Sequence, residues 1–347
     1  VITPTGPQPA TAEALAEKLN AALDTEIDVE GTPLRAGVTV GVAIFPQDGA
    51  DTTSLIANAD AALARAKSEM RGSIRFFEPS MDQQLREKRA LQQELRSAIA
   101  RDEFALHYQP QAHLDGEVTG FEALVRWHHP RRGMIAPGTF IPLAEESGII
   151  VELGEWILRT ACREAASWPR PLHIAINLSP VQFQHGDLAK LVHQVLLETG
   201  LAPSRLELEI TEGVLIGDFN RAVAILRRLK NLGVHIAMDD FGTGYSSLSY
   251  LQSFPFDKIK IDKSFIANLD HSQQAATIVR AVIALGCGLD LPVVAEGVET
   301  AEQLKFLAGE ACNEIQGYFI GRPKPIADYA ALVGRKVAPR KELAATG

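Results

Sequence analysis

The stretch from Leu206 to Asp239 reads LELEITEGVLIGDFNRAVAILRRLKNLGVHIAMD and contains one complete strand, helix and strand unit. Leu206 to Ile210 and His235 to Asp239 are short apolar runs that predict buried strands. Phe219 to Leu232 lies between them and places its apolar residues at helical spacing. Because a crossover helix joins two strands in parallel, this stretch predicts an α/β fold.

The same alternation of strand and helix continues through the chain after Phe104. The further helical patterns are Ile149 to Trp168, Leu188 to Thr199, Gln273 to Gly286 and Ala301 to Ala308. The eight predicted strands are Phe104 to Ala112, Val118 to Trp127, Leu172 to Leu178, Leu206 to Ile210, His235 to Asp239, Lys258 to Ile261, Val293 to Glu296 and Gly317 to Ile320. They predict a TIM-like (β/α)8 barrel whose first strand is antiparallel, because the Asp115-Gly116 turn makes a hairpin. A doubly wound open sheet is the alternative, although neither of the glycine-rich nucleotide-binding motifs of that fold is present.

A shorter α/β pattern precedes the barrel. Residues 1–78 contain helical patterns at 11–24 and 53–68 and strand patterns at Val38 to Phe45 and Ile74 to Phe77. This is too little sequence for a complete domain of that kind, so we expect a fragment of a longer protein. Ser80 and Gln83 form a capping-box pattern that opens a charged linker helix, assigned to residues 79–100. The barrel is assigned to residues 101–335 and a tail to residues 336–347.

Charge and composition exclude several classes of protein. The 347 residues include 34 Lys and Arg against 43 Asp and Glu, a net charge of −9. An acidic chain without a basic patch repels a phosphate backbone, so no nucleic-acid partner is expected. No window of about 18 residues is apolar and free of charge, so this segment is expected to make no membrane contact. The three cysteines show no C-x-x-C pair, which favours a reducing, cytoplasmic compartment.

Acidic and amide side chains occupy the ends of the predicted barrel strands, where enzymes of this fold carry their reactive groups. The candidates are Glu122, Asn177, Glu209, Asp239, Asp240, Asp262 and Glu296, with Lys260 inside the sixth strand and Gln316 at the entry to the eighth. One acid at a strand end is commonly a helix cap or a solvated surface group. Six carboxylates from different strands cannot all be caps, so we expect a shared site.

Carboxylates gathered in one mouth repel each other unless a cation compensates them. Oxygen ligands without cysteine favour Mg²⁺ or Mn²⁺ over Zn²⁺. The consecutive residues Asp239 and Asp240 can hold two ions, as in two-metal sites for phosphoryl hydrolysis. Lys260 among these acids either positions and activates the attacking water or forms a buried structural ion pair.

Seven short motifs follow one another within residues 85–335. They are FEALVRW at Phe121 to Trp127, NLS at Asn177 to Ser179, ELEITE at Glu207 to Glu212, DDFGTGYSS at Asp239 to Ser247, KID at Lys260 to Asp262, AEGVET at Ala295 to Thr300 and QGY at Gln316 to Tyr318. In this order they resemble the signature of the EAL-domain cyclic di-GMP phosphodiesterases.

The resemblance implies metal-dependent hydrolysis of 3′,5′-cyclic di-GMP to linear pGpG in bacterial signalling, with two Mg²⁺ or Mn²⁺ ions in the site. It assigns one ion to Glu122, Asn177, Glu209 and Asp239, and the second to Asp239, Asp240 and Glu296. Among these residues, Glu122, Asp240 and Glu296 join Lys260 in the catalytic set, and Lys260 holds or helps to activate the water.

The resemblance also assigns the substrate contacts. These are Gln109, Arg126, Asp262, Gln316 and Tyr318, and Arg126 is expected to contact a phosphate. Glu212 resembles the acid that anchors the loop from Asp239 to Ser247, whose Gly242 and Gly244 suit a change of shape. In this family the loop links substrate, metal and dimer interface, which implies a homodimer through the barrel.

Residues 1–78 carry a second resemblance. VTVGVA at Val38 to Ala43 and ADAALARAK at Ala59 to Lys67 resemble the strand and helix in the C-terminal part of a GGDEF, or diguanylate cyclase, domain. The signature loop of that family is absent from this sequence, and Ala64 replaces a tyrosine of its helix motif. Cyclase activity is therefore not expected from these residues.

Two other functions remain open beside the phosphodiesterase. One is a receptor that binds cyclic di-GMP without hydrolysing it, and missing metal ligands would have favoured it. The other is an unrelated Mg²⁺-dependent barrel enzyme, such as an enolase-type lyase, which shares the acidic strand ends but not the series of motifs. His128 and His129 are interpreted as loop residues, because neighbouring strand positions face opposite sides and cannot easily bind one ion.

Overall fold

The computed structural model describes residues 6–23, 26–29, 32–35, 37–70, 72–216, 218–242, 254, 256–269 and 272–336. The chain divides into two units, residues 1–94 and 95–347. The boundaries assigned from the sequence at residues 78 and 100 stay predictions. Among the residues that are described, none of the helices combines the length and the apolar character needed to cross a bilayer.

The first unit contains helices and two small sheets. Its elements are α1 (Ala10–Leu23), β1 (Glu26–Val29), β2 (Thr32–Arg35), β3 (Val40–Val42), α2 (Thr52–Glu69), β4 (Ile74–Phe76) and most of α3 (Pro79–Ala98). Strands β1 and β2 are antiparallel, whereas β3 and β4 are parallel. A Cβ atom on Gly41 of β3 would lie 2.3 Å from the Ala59 carbonyl oxygen, so glycine is what allows α2 to pack so closely on this strand. Ala61, Ala62 and Met81 form a small core there.

The structure differs from the sequence prediction at three points in this unit. The strand predicted from Val38 to Phe45 is only three residues long, and the β1–β2 hairpin has no counterpart in the prediction. The capping box at Ser80 is wrong, because α3 begins at Pro79 and places Ser80 inside the first turn. Proline suits the first helical position, where its missing N–H leaves no helical bond unmade.

The second unit contains the remaining strands and α-helices of the described residues. These are β5 (Phe104–His113), β6 (Val118–His129), β7 (Gly133–Ile135), α4 (Pro137–Ser147), α5 (Ile150–Ala166), β8 (His173–Leu178), α6 (Pro180–Gln184), α7 (Leu188–Thr199), β9 (Leu206–Thr211), α8 (Gly213–Ile216), α9 (Phe219–Asn231), β10 (His235–Phe241), β11 (Lys258–Ile261), α10 (Lys263–Ala267), α11 (Gln273–Gly288), β12 (Val293–Glu296), α12 (Ala301–Gly309) and β13 (Glu314–Gln316).

Eight of these strands close into a barrel, which confirms the predicted fold. The order is β5, β13, β12, β11, β10, β9, β8 and β6, and pairing of β5 with β6 closes the ring. Strand β5 is antiparallel to both of its neighbours, β6 and β13, whereas the other pairs in the ring are parallel. The C-terminal ends of the seven parallel strands therefore share one mouth, and β5 starts at that mouth.

Side chains on the barrel strands point alternately into the barrel and outward to the surrounding helices. Helix α9 buries Ala222, Ile225, Leu226 and Leu229 at helical spacing against the sheet. On β9, Glu207 and Glu209 alternate with leucines, and all of these residues are buried. The apolar residues pack beneath the helices and the acids point into the barrel, so the interior is polar.

The last barrel strand differs from its prediction. The sequence predicts a strand from Gly317 to Ile320, but the strand is Glu314–Gln316. The N–H groups of Ile320 and Gly321 instead donate to the Gly317 carbonyl, which closes a turn. The apolar run after Gly317 is therefore the turn that follows the strand.

Gly317 lies too close to the backbone of Val298 to accept a side chain. A Cβ atom there would be 2.1 Å from the Val298 carbonyl oxygen and 2.3 Å from its nitrogen. We expect G317A to lower the free energy of unfolding by about 1–3 kcal/mol through overpacking. All three tryptophans lie in the barrel unit, at positions 127, 156 and 168, so their fluorescence in a urea titration reports on the barrel. G138A is the control, since nothing lies within 4 Å of its Cβ position; equal stability of the two variants would contradict the prediction.

Candidate active site

A bulge in β10 brings two consecutive acids to the same mouth. Asp239 pairs with Thr211 of β9, and the register with β11 shifts between Met238 and Phe241. Asp240 has a φ of 54°, and its backbone N–H donates to Asp239 Oδ1 at 3.0 Å. The bulge breaks the alternation that would send neighbouring side chains to opposite faces. As a result, oxygens of Asp239, Asp240 and Glu296 lie within 4.8 Å of one another.

Lys260 lies buried beneath these acids. Its Nζ is 2.7 Å from Glu209 Oε1, 2.6 Å from Glu296 Oε1 and 3.3 Å from Asp239 Oδ1. Both Lys260 and Glu209 have no exposed surface. The structure therefore places the predicted residues of four strands, β9, β10, β11 and β12, in one ion cluster.

Burial perturbs the acids of this cluster. It raises the pKa of Glu296 to about 8 and that of Asp240 to about 6, with help from neighbouring carboxylates. Burial also raises the pKa of Glu209. Burial disfavours the charged form of Lys260, but the surrounding carboxylates outweigh it and raise its pKa well above the usual value. Lys260 is thus a fixed cation, and one ammonium does not compensate all of the acids around it.

These observations fit divalent ions. The donors are carboxylate and amide oxygens, which Mg²⁺ and Mn²⁺ prefer. Burial and neighbouring carboxylates disfavour the charged forms of Glu296 and Asp240, and a bound metal ion would favour them instead. Among the residues that the structure describes, Asp239, Asp240 and Glu296 lie close enough together to hold an ion as they stand.

Glu122 lies in the same interior, on β6, and is held by amide groups. Its Oε1 accepts a hydrogen bond from Asn177 Nδ2 at 2.6 Å and its Oε2 accepts one from Gln316 Nε2 at 2.5 Å. Gln316 Nε2 also approaches Gln109 Oε1 at 3.2 Å. Glu122, Gln109 and Gln316 are all buried. The structure thus joins two predicted substrate residues, Gln109 and Gln316, to a predicted metal ligand.

The other predicted substrate residues are distributed around the mouth. Arg126 is half-buried, and one of its guanidinium nitrogens donates to the Val125 carbonyl. Tyr318 is 48% exposed, with the Arg322 guanidinium 4.1 Å from the centre of its ring. Asp262 caps α10 by accepting a hydrogen bond from Ser264 N–H at 3.0 Å. Helix capping is the ordinary structural role of an acid at the end of a strand. The charge of Asp262 also helps to raise the pKa of Asp240, so Asp262 adjoins the cluster.

Glu212 and the two histidines complete the predicted residues. Glu212 Oε1 accepts from Gly242 N–H at 3.5 Å, next to the predicted mobile loop, whose residues 243–247 lie outside the described part of the chain. The interpretation of His128 and His129 as loop residues is wrong, because they end β6. His129 is buried and its Nδ1 accepts from the N–H groups of Arg131 and Arg132.

Two of the cavities in the described part of the chain lie at opposite ends of the barrel. One of about 320 Å³ is lined by Arg126, Asn177 and Ser179, among other residues, and adjoins the mouth with the acids. The other, of about 410 Å³, is lined by Gln111, His173 and Glu207, among others. It contains none of the predicted site residues and lies at the opposite ends of the strands.

Sequence analysis missed a second ion cluster one layer below Lys260. Lys258 Nζ is 2.9 Å from Glu207 Oε2 and 3.0 Å from Glu314 Oε2. The signal was present as polar residues two positions apart on three strands, in ELE, KIK and EIQ. Residues two apart face the same side of a strand, so each of these strands contributes to both layers.

The fold and this acidic mouth define a barrel of the EAL class, and the family comparison agrees. The family model described as EAL domain matches residues 92–323, and the chain belongs to this family. A second model, described as diguanylate cyclase, GGDEF domain, matches residues 1–73.

Particular relatives resemble most of the chain. An uncharacterized signaling protein of Caulobacter vibrioides is 58% identical over 92% of this chain and 40% of its own length. The bifunctional diguanylate cyclase/cyclic di-GMP phosphodiesterase MucR of Pseudomonas aeruginosa is 44% identical over 94% of this chain and 48% of its own. A solved structure titled PaMucR phosphodiesterase, c-di-GMP complex, is 46% identical, with a TM-score of 0.67, and covers 69% of this chain and 99% of that one. The chain thus spans less than half the length of these two curated relatives.

The cluster around Lys260 generates a stability prediction. K260M removes the cation from three carboxylates that lie within 3.3 Å of it. In EDTA at neutral pH we expect the barrel to lose about 3–5 kcal/mol of unfolding free energy, the usual cost of breaking a buried ion pair. Excess Mg²⁺ should restore part of the loss, because an ion that binds only the folded state stabilises it.

Urea titrations followed by tryptophan fluorescence, with and without Mg²⁺, measure this effect. K190M is the matched control, since Lys190 is exposed and its loss should change stability by less than about 0.5 kcal/mol. An unchanged K260M midpoint in EDTA would show that the acids need no cation.

Proposed function

We propose that this chain hydrolyses cyclic di-GMP to linear pGpG with the help of Mg²⁺ or Mn²⁺, with two ions in the site. The observation that carries the proposal is the approach of Asp239, Asp240 and Glu296 within 4.8 Å of one another, next to the Lys260 cluster. The family and the names of the relatives support this choice of substrate. The reaction adds one water across a P–O3′ bond and leaves a 3′-hydroxyl and a 5′-phosphate.

The residues of this chain divide the work between them. Asp239, Asp240 and Glu296 would hold one ion, and Glu122, Asn177, Glu209 and Asp239 the other. When bound, these ions supply a lowered pKa for a coordinated water and positive charge for the oxygens of the phosphodiester. Lys260 stays protonated among its carboxylates, so it orients water by donating a hydrogen bond and does not serve as the base.

Side chains at the rim of the barrel mouth supply the proposed substrate contacts. Arg126, at the edge of the 320 Å³ cavity, has the donors to bind a phosphate oxygen pair. Tyr318 offers an exposed ring to a guanine face, while Gln109 and Asp262 offer hydrogen-bonding groups. A role for Glu212 in anchoring the loop, a homodimer through the barrel and a cytoplasmic location are further parts of the proposal that rest on the resemblance.

The first experiment is incubation of the chain with cyclic di-GMP and Mg²⁺ or Mn²⁺, with an EDTA control, followed by chromatography of the nucleotides. Metal-dependent formation of pGpG supports the proposal. Tight binding without turnover would make the chain a receptor and contradict it.

Replacement of Glu122 tests the metal assignment. We expect E122A to reduce the rate of pGpG formation by about 100-fold or more, because it removes a ligand and the acceptor for both Asn177 and Gln316. E117A is the control, since Glu117 lies on the exposed hairpin between β5 and β6. Circular dichroism checks that both variants are folded, and full activity of folded E122A would refute the assignment.

Replacement of Arg126 tests the phosphate contact. R126K keeps the charge but loses the paired donors of the guanidinium. We expect KM for cyclic di-GMP to rise by about 10-fold, the size of one strong hydrogen bond to a charged group, with a smaller change in kcat. Steady-state kinetics measure both. A fall in kcat alone, with KM unchanged, would place Arg126 outside the ground-state phosphate contact.

A further inference from the structure

Three glutamine side chains form a hydrogen-bonded row inside the barrel. Gln111 Nε2 on β5 donates to Gln316 Oε1 on β13 at 3.0 Å. Gln316 Nε2 donates to Glu122 Oε2 at 2.5 Å and to Gln109 Oε1 at 3.2 Å. Gln111 is 2% exposed. Its position was not among the candidates from the sequence.

The position of Gln111 follows from strand pairing. Its Cα is the register partner of Gln316 in the antiparallel pair of β5 and β13, so the two side chains lie next to each other. The Gln111 backbone carbonyl accepts a bond from Thr119 Oγ1 at 3.3 Å on the other side, from β6. The backbone of Gln111 is thus held on both sides while its amide faces Gln316.

The orientation of the Gln316 amide matters for Glu122. Its nitrogen faces two acceptors, Glu122 Oε2 and Gln109 Oε1, and its oxygen faces the donor of Gln111. A rotation of the amide by half a turn would bring its oxygen against the Glu122 carboxylate, and two acceptors in contact repel. Gln111 supplies the donor that fixes the orientation. Without it, the buried Gln316 oxygen loses this hydrogen bond, and the amide loses the contact that favours the observed orientation.

We propose that Gln111 is a positioning residue that acts on Glu122 through Gln316. Glu122 is held by two hydrogen bonds, from Asn177 and from Gln316, and Gln111 secures the second of them. This inference rests on the proposed function, in which Glu122 holds a metal ion. Outer partners that orient a metal ligand commonly contribute 10-fold or more to metal affinity.

The test is calorimetric titration of the metal-free chain with Mn²⁺, which needs no substrate. Q111M keeps the length of the side chain but removes the donor, and we expect Kd for Mn²⁺ to rise by about 10-fold. T119V is the matched control, because it removes one hydrogen bond to the same residue but leaves the amide row intact. Its Kd should stay within about twofold of the original. Q111N, which is too short to reach Gln316, gives the same result if Q111M fails to fold.

A double-mutant cycle separates this role from simple packing. If Gln111 acts through Gln316, Q111M has no further effect on Kd in a Q316L background. Additive effects of the two substitutions, or an unchanged Kd in Q111M, would overturn the proposal. If the unaltered chain binds Mn²⁺ but does not form pGpG, the proposed function fails while the cycle still tests Gln111. Absence of Mn²⁺ binding in the unaltered chain would overturn both.

Discussion

The buried ammonium of Lys260 is the interaction on which the interior of this barrel depends. Moving a carboxylate out of water costs several kcal/mol, and the cost is met only when an opposite charge lies in contact. Lys260 meets carboxylates from β9, β10 and β12 at once. It therefore ties together strands that hydrogen bonds alone would join only to their neighbours. Burial raises the pKa of Glu296 to about 8 despite the contact with Lys260, and the charges of Asp239 and Glu122 add to the rise. A further cation in this site would therefore stabilise the charged forms of its acids.

The local backbone and the neighbouring amide side chains orient the acids of the site. The bulge in β10 and the positive φ of Asp240 put two adjacent acids on one side, and amide side chains from β8 and β13 hold Glu122 from both of its oxygens. Amides suit this task because they donate hydrogen bonds without adding charge to a site already crowded with it. The polar interior thus contains two kinds of contact, ion pairs around Lys260 and neutral donors around Glu122.

Much of the barrel and of its acidic mouth could be predicted from the sequence. The hydrophobic periodicity of the sequence located most of the strands. Barrel enzymes carry their reactive groups at the C-terminal ends of these strands, and this rule then selected Glu209, Asp239 and Glu296. Features that depend on tertiary contact could not be predicted in this way. The last strand is only three residues long, too short for a period, and the neighbouring apolar run in a turn was taken for it. Gln111 carries no charge or motif, and its importance appears only when strand pairing places it beside Gln316. The start of α3 at Pro79 was missed because Ser80 and Gln83 match a capping box that the backbone does not form.

The two stacked ion clusters also bear on how this sheet finds its alignment during folding. Strand β9 presents Glu207 and Glu209, and β11 presents Lys258 and Lys260, in each case two residues apart. A slip of two residues would keep every side chain on its proper face, but it would leave one of the two acidic layers without its lysine. Because an unpaired buried carboxylate costs several kcal/mol, the two clusters together oppose this misalignment. At the strand entrance, Asp257 just before β11 accepts from Ile236 N–H on β10 at 2.7 Å and pairs with Lys230 of α9. This carboxylate outside the active mouth thus supports the same register for the strand that delivers the central lysine.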